Sequence, residues 1–252
     1  MMKSIVTGSM GFIGKALCRK LEESGVEVVG IDRRCGIEAS DIGRYMEGAD
    51  VVYHLAAQTS VFNNDLVQIR KDNIDTFMEV AKVCRESGVK LVYASSSTAR
   101  GENTTSMYGM SKAFNEQFAS VYCPYSTGVR LHNVYGPDPR EGTLLWNLMN
   151  LDHVTIYNNG MNIRSFTWID DILECLMYAA FCNNRLINAV NPTPCTVKSF
   201  TETVRKYKNV DVQYVPNRRC MDNPVQTVDT EVFSVPLSYT PVETGIRKVF
   251  NG

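Results

Sequence analysis

Apolar residues recur along this chain in two rhythms. Five short stretches, MKSIVT (2–7), VEVVGI (26–31), ADVVYHL (49–55), KLVYA (90–94) and YSTGVRL (125–131), carry apolar residues with little regard to alternation. Strands covered on both faces read this way. Between them, apolar positions 13, 16, 17 and 21, and then 66, 69, 74, 77, 80, 81 and 84, follow helical spacing. They predict helices over 12–23 and 65–87, the second closed by Gly88, and a third helix is expected over 106–122. Strands alternating with helices imply βαβ units, hence an α/β fold with a parallel sheet between two helical layers.

Beyond residue 136 the rhythm changes. Pro137, Pro139 and Gly142 mark a loop. The pattern then predicts helices over 143–151, 170–182, 196–207 and 242–250. Strand pieces are expected over 153–157, 163–167, 185–190 and 210–215, with an irregular stretch before the last helix. The expected division is a main domain over 1–135, completed by a returning strand near 185–190, and a small C-terminal α+β lobe over 136–252 packed directly on the sheet.

Composition narrows the function classes. The chain has 252 residues, 44% hydrophobic and 21% charged, which suits a packed globular protein. Lys and Arg (26) nearly balance Asp and Glu (27), so nothing favours a nucleic-acid surface. None of the eight cysteines forms a C-x-x-C pair, and no His stands at ligand spacing from them. No metal is expected, and a reducing cytoplasm suits these thiols better than a disulfide framework. MMKSIVTGSMG is too short in its apolar run for a signal peptide, and no window approaches a membrane span.

Gly8, Gly11 and Gly14 lie where the first strand meets the first helix. Gly8 permits a tight turn, Gly11 lets the backbone approach a pyrophosphate, and Gly14 allows close helix–strand packing. Asp32 ends the second strand, 18 residues past Gly14. A carboxylate there accepts from both adenine-ribose hydroxyls and repels a 2′-phosphate, so the expected fold is a Rossmann-like doubly wound sheet and the expected cofactor is NAD. Arg33 and Arg34 follow immediately, and an Arg beside the ribose could tolerate NADP.

The fourth strand runs into YASSSTARGENTTSMYGMSK (93–112), which holds a serine cluster and a Tyr and a Lys four residues apart. A free tyrosine titrates near pH ~10, and a neighbouring ammonium or an oxidised nicotinamide would favour its phenolate. Tyr108 and Lys112 share a helix face, and the serines end the neighbouring strand at the edge where such sheets bind ligands. Alone, the pair would read as a solvated helix pair. With the glycine turn and Asp32 it reads as a catalytic set.

The order of motifs resembles the NAD-dependent nucleotide-sugar epimerase/dehydratase family of extended short-chain dehydrogenases. TGSMGFIG (7–14), HLAAQTSV (54–61), DNIDT (72–76), VYASSS (92–97), YGMSK (108–112), RLHNVYGP (130–137), IYNNGMNIRSFTWIDD (156–171), RRCMDNPVQTVD (218–229) and YTPVETGIRKVF (239–250) carry it. Asp75 stands where the family has Gly. Only 17 residues separate Asp32 from Asp50, so a βα unit usual in the family is trimmed or lost, and the link from the serines to Tyr108 is also short.

The resemblance implies that Ser96, Tyr108 and Lys112 are catalytic, with Ser97 in place of Ser96 if the short loop shifts the register. It implies a cofactor site of Gly8, Met10, Gly11, Phe12, Ile13, Gly14, Asp32, Arg33, Leu55, Ala56, Ala57, Asn73, Ala94, Ser95, Tyr108 and Lys112. It implies a nucleotide-sugar site of Ser96, Ser97, Asn133, Arg164, Arg219 and Gln226, in the lobe over 136–252 and the sheet edge facing it. The two arginines are similar to the family's diphosphate clamps, and Gln226 stands where a bulky residue excludes an N-acetyl group. Helices 65–87 and 106–122 imply a homodimer. The activity implied is NAD-dependent 4-epimerisation. Decarboxylation, dehydration or 4-keto reduction is the alternative within the family, and a non-catalytic NAD-binding regulator the alternative outside it. His54 and Trp168 are expected to be structural, and Asp170 and Asp171 to cap the helix that follows.

Overall fold

In the computed structural model, which describes residues 2–217 and 223–251, the five expected strands lie in one parallel sheet. They are β1 (Lys3–Thr7), β2 (Glu27–Ile31), β3 (Val51–His54), β4 (Lys90–Ser96) and β5 (Ser126–Leu131). Helix α1 (Phe12–Glu23) joins β1 to β2, and α2 (Leu66–Ile69) and α3 (Thr76–Ser87) join β3 to β4. Helix α4 (Met107–Tyr122) joins β4 to β5. In the C-terminal half, β6 (Val134–Tyr135), α5 (Leu144–Asn150), β7 (His153–Ile156), β8 (Ile163–Arg164), β9 (Thr167–Trp168), α6 (Ile169–Phe181) and β10 (Leu186–Ala189) come first. They are followed by β11 (Cys195–Thr196), α7 (Val197–Arg205), β12 (Asp211–Tyr214), β13 (Phe233–Ser234) and α8 (Val242–Asn251).

The sheet has seven strands in the order β13-β10-β5-β4-β3-β1-β2, all parallel. The order reverses between β1 and β3, and the crevice at their carboxyl ends is where such sheets bind ligands. Side chains alternate between two cores, as a pleated strand requires. Val6, Tyr53, Val92 and Val129 face α1 and α6, in a core that continues through Trp168 and Phe200 into the C-terminal half. Ile5, Val52, Leu91 and Tyr93 face α3 and α4.

Four details depart from the sequence reading. The helix expected over 65–87 is interrupted by a π turn at Arg70–Asp75. The piece expected over 163–167 is two short strands, β8 and β9. The stretch expected to be irregular supplies β13, which extends the sheet beyond β10. Asp170 and Asp171 do not cap α6: Asp170 accepts from the Trp168 indole (2.8 Å) and Asp171 from the Thr240 N–H and hydroxyl (2.8 and 3.0 Å). Between Asp32 and β3 the chain makes only two 3₁₀ turns, Arg33–Cys35 and Ala39–Tyr45, which leaves β2 outermost.

Candidate active site

The β1–α1 turn is shaped by contacts that only glycine tolerates. Gly8 has φ +72°, and a Cβ on it would come within 2.8 Å of the Ala56 nitrogen in the loop after β3. A Cβ on Gly14 would run into the Gly8 carbonyl. The Gly11 N–H donates to the Gly8 carbonyl (2.9 Å) and so closes the turn. No side chain caps α1, so its first-turn N–H groups, at Phe12, Ile13 and Gly14, offer a donor-rich cradle for an anion. The cradle fits a dinucleotide pyrophosphate. Leu55, Ala56 and Ala57 line the next strand end, with Ala56 packed against Gly8.

Asp32 stands at the end of β2 in extended conformation. Its carboxylate accepts from the Met10 N–H (3.0 Å) and the Arg34 N–H (2.9 Å), tying the second strand end to the glycine turn. The Arg34 guanidinium donates back to the Met10 carbonyl (3.0 Å), and Arg33 reaches away to Asp72 (2.9 Å).

At the end of β4 the three serines take three different partners. Ser95 donates to Glu116. Ser96 caps the following 3₁₀ turn by accepting from the Thr98 N–H (3.1 Å), its hydroxyl meets the Thr98 hydroxyl (2.9 Å), and it stands near enough to Tyr108 to favour the phenolate. Ser97 accepts from the Gln226 amide. Helix α4 starts at Ser106, whose hydroxyl accepts from the Gly109 N–H (3.1 Å). That start places Tyr108 in the first turn and Lys112 one turn on. The Lys112 ammonium donates to the Ala94 carbonyl (2.9 Å) and lies 5.8 Å from the centre of the Tyr108 ring.

Electrostatics set the pair apart from surface residues. Burial lowers Lys112 to about 8, partly opposed by Glu116. Burial raises the Tyr108 phenol, opposed by the Ser96 hydrogen bond and the charge of Arg140. Ser96 and Arg140 thus join Lys112, 5.8 Å from the ring centre, as the groups that face the phenol. His54 is buried against the Thr7 hydroxyl (2.8 Å), and desolvation with the Lys112 charge drops it to about 3.

Asn73, in the π turn, accepts from the Gln58 N–H (2.7 Å) and donates to the Gln58 carbonyl (2.9 Å) and Ser111 hydroxyl (3.0 Å). It staples the loop after β3 to α4. On the far side, Asn133 (φ +32°) donates to Gln226, whose amide in turn reaches Ser97. Arg164 donates to the carbonyls of Ile163 and Asn223, each at 2.7 Å. Arg219 lies outside the described residues.

Sequence reasoning missed a buried ionic chain beneath this edge. Arg130 on β5 makes two bonds to Glu116 (2.8 and 2.6 Å) and one to Asp229 (2.8 Å), and Arg100 also pairs with Asp229. With Ser95 on Glu116, this chain runs from α4 through the sheet to the C-terminal segment. The available signal was a lone Arg inside the apolar run of β5.

A family model described as the NAD dependent epimerase/dehydratase family matches residues 4–186. Protein CapI of Staphylococcus aureus is 30% identical over 228 aligned positions, covering 69% of this chain and 68% of that one. The uncharacterized UDP-glucose epimerase YtcB of Bacillus subtilis is 29% identical over 224 positions, covering 69% and 71%. Among solved structures, the UDP-N-acetylglucosamine 4-epimerase of Methanobrevibacter ruminantium M1, in complex with UDP-N-acetylmuramic acid, superposes with a TM-score of 0.85 at 21% identity. It covers 99% of this chain and 97% of that one. MoeE5 in complex with UDP-glucuronic acid and NAD gives 0.82 at 23% identity, covering 99% and 98%. With the glycine cradle, Asp32 and the Ser–Tyr–Lys cluster assembled at one sheet edge, the chain belongs to the NAD dependent epimerase/dehydratase family.

Proposed function

We propose that this protein is an NAD-dependent nucleotide-sugar 4-epimerase with Ser96, Tyr108 and Lys112 as its catalytic residues. The observation that carries the reading is that Ser96, Tyr108 and Lys112 gather at the strand edge shared with the glycine cradle, with the Lys112 ammonium 5.8 Å from the Tyr108 ring and anchored on the Ala94 carbonyl (2.9 Å). Tyr108 takes the proton of the sugar's C4 hydroxyl and returns it to the same oxygen after the 4-keto sugar has rotated and its opposite face has been reduced. Ser96 holds that oxygen and favours the phenolate, and its place beside Tyr108 argues for it over Ser97, whose hydroxyl is engaged by Gln226. Lys112 supplies positive charge and a donor toward the nicotinamide ribose. The chemistry a bound NAD would supply is uptake of the C4 hydride and its return to the opposite face of the rotated keto sugar. Gly8, Gly11, Gly14 and Asp32 hold the dinucleotide, and Asn73 fixes the loop carrying Leu55, Ala56 and Ala57.

The lobe of residues 136–252 is the substrate side, with Asn133 and Arg164 toward the diphosphate and Gln226 beside the sugar, and Arg219 is assigned to the diphosphate by its sequence motif alone. A glutamine at that position suits an N-acetylhexosamine. The exposed apolar residues Met110 and Phe114 on α4 and Leu66 and Val67 on α2, with Phe114, Phe118 and Tyr122 stacked at 6.0 and 5.0 Å, suit a homodimer formed through these helices. The seven described cysteines are all free, which suits the cytoplasm.

The test is to incubate purified protein with UDP-, GDP- and dTDP-sugars and resolve the products. A 4-epimer is expected. A decarboxylated, dehydrated or 4-keto-reduced product would move the activity elsewhere in the family, and no turnover of any would remove the reading. Tyr108→Phe is expected to lose at least about 100-fold in turnover while keeping NAD. A non-catalytic NAD-binding regulator would hardly notice that change.

A further inference from the structure

Two arginines directly after the ribose-binding acid are unexpected in a protein that uses NAD. An Arg in that place is what accommodates a 2′-phosphate in NADP-binding relatives of this fold. Only Arg33 is held by another element; Arg34 stays beside the glycine turn and Asp32. Arg34 donates to the Met10 carbonyl (3.0 Å) and so lies over the glycine turn. Arg33 makes a forked contact with one residue, Nη2 to Asp72 Oδ1 (2.9 Å) and Nη1 to Asp72 Oδ2 (3.3 Å), with a weaker approach of Nη2 to Glu38 (3.4 Å).

The two ends of the Arg33–Asp72 pair differ in freedom. The Arg33 side chain is 54% exposed and the Asp72 side chain 9%. Asp72 sits in the π turn, and its neighbour Asn73 is fixed by three hydrogen bonds to Gln58 and Ser111. A buried carboxylate on a fixed turn sets the position of a mobile guanidinium, and the bidentate geometry gives that hold direction as well as strength.

We propose that Asp72 is a positioning residue for cofactor choice. It draws Arg33 away from the adenine-ribose edge, so that the Asp32 carboxylate alone meets the ribose hydroxyls and repels a 2′-phosphate. Without Asp72, Arg33 falls back toward Asp32, offsets its charge and offers two donors to a 2′-phosphate. This rests on reading Asp32 as the ribose acid and does not depend on which sugar is turned over.

The test is calorimetric titration of the nucleotide-stripped full chain with NAD and, separately, with NADP. Asp72→Ala is expected to improve the NADP-to-NAD affinity ratio by on the order of tenfold. Arg33→Ala in that background is expected to return the ratio to the wild-type value, and Arg33→Ala alone to leave it there. Asp72→Asn, which keeps shape and one acceptor, should move the ratio in the same direction and guards against loss of the fold in the alanine variant. Equal weakening of both cofactors, or a ratio change that persists without Arg33, would overturn the proposal and leave Asp72 a purely structural residue. Failure of wild-type protein to bind either dinucleotide would instead overturn the reading of the ribose site itself.

Discussion

Two of the three histidines should make this protein sensitive to acid. His54 and His132 are 3% and 1% exposed. Burial lowers His54 to about 3, helped by the Lys112 charge, and His132 to about 4, helped by Arg130, from an ordinary value of 6.5. The unfolded chain therefore binds up to two more protons than the native one between pH 6.5 and 4. By linkage, stability falls as pH falls through that window. At about pH 5 each histidine costs about 2 kcal/mol, from 1.36 kcal/mol per pKa unit, so the pair removes about 4 kcal/mol from a total usually between about 5 and 15. The assay is urea unfolding between about pH 7.5 and about pH 5, on wild type, His54→Gln, His132→Gln and the double variant. Other groups titrate in all four proteins, so the difference in slope isolates the two imidazoles. Each single variant should remove about half of the extra loss. Parallel stability–pH curves for wild type and the double variant would refute the reasoning.

Two other changes probe the frame of the site. Gly14→Ala, whose Cβ would meet the Gly8 carbonyl, should push the turn open and weaken NAD binding by about tenfold or more; unchanged affinity by titration would show that the cradle adjusts. Arg130→Met would leave Glu116 and Asp229 buried without their shared partner, at a cost of about 3–5 kcal/mol, and a urea midpoint equal to wild type would contradict the role given to the ionic chain.

The central strands and their helices were legible because two strong local signals coincided, apolar runs and helical spacing. The glycine turn was legible because its steric needs admit few residues. What could not be read depends on partners distant in sequence. Nothing around Asp72 announces Arg33, which lies 39 positions away, and nothing around Arg130 announces Asp229, 99 positions away. The π turn did leave a trace: in the helix expected over 65–87, apolar positions 69 and 74 are five apart where three or four would keep a regular face. Such turns recur at functional sites, and here the turn carries both Asp72 and Asn73. Strand β13 was missed because two residues hold no periodicity. The partition of the three serines depended on Glu116, Tyr108 and Gln226, none of which is next to them in the chain.

Among the described residues, the short path from Asp32 to β3 leaves β2 with a sheet neighbour on one side only. An outermost strand can recruit a strand from another chain, which is how sheet proteins aggregate or exchange segments. Strand β2 is five residues long and carries four apolar or small residues, with Glu27 as its one charge. Its shortness and that glutamate are what discourage intermolecular pairing. This chain thus carries its adhesive edge on the strand that leads into Asp32 and the glycine turn, so that solubility and the shape of that turn constrain the same few residues.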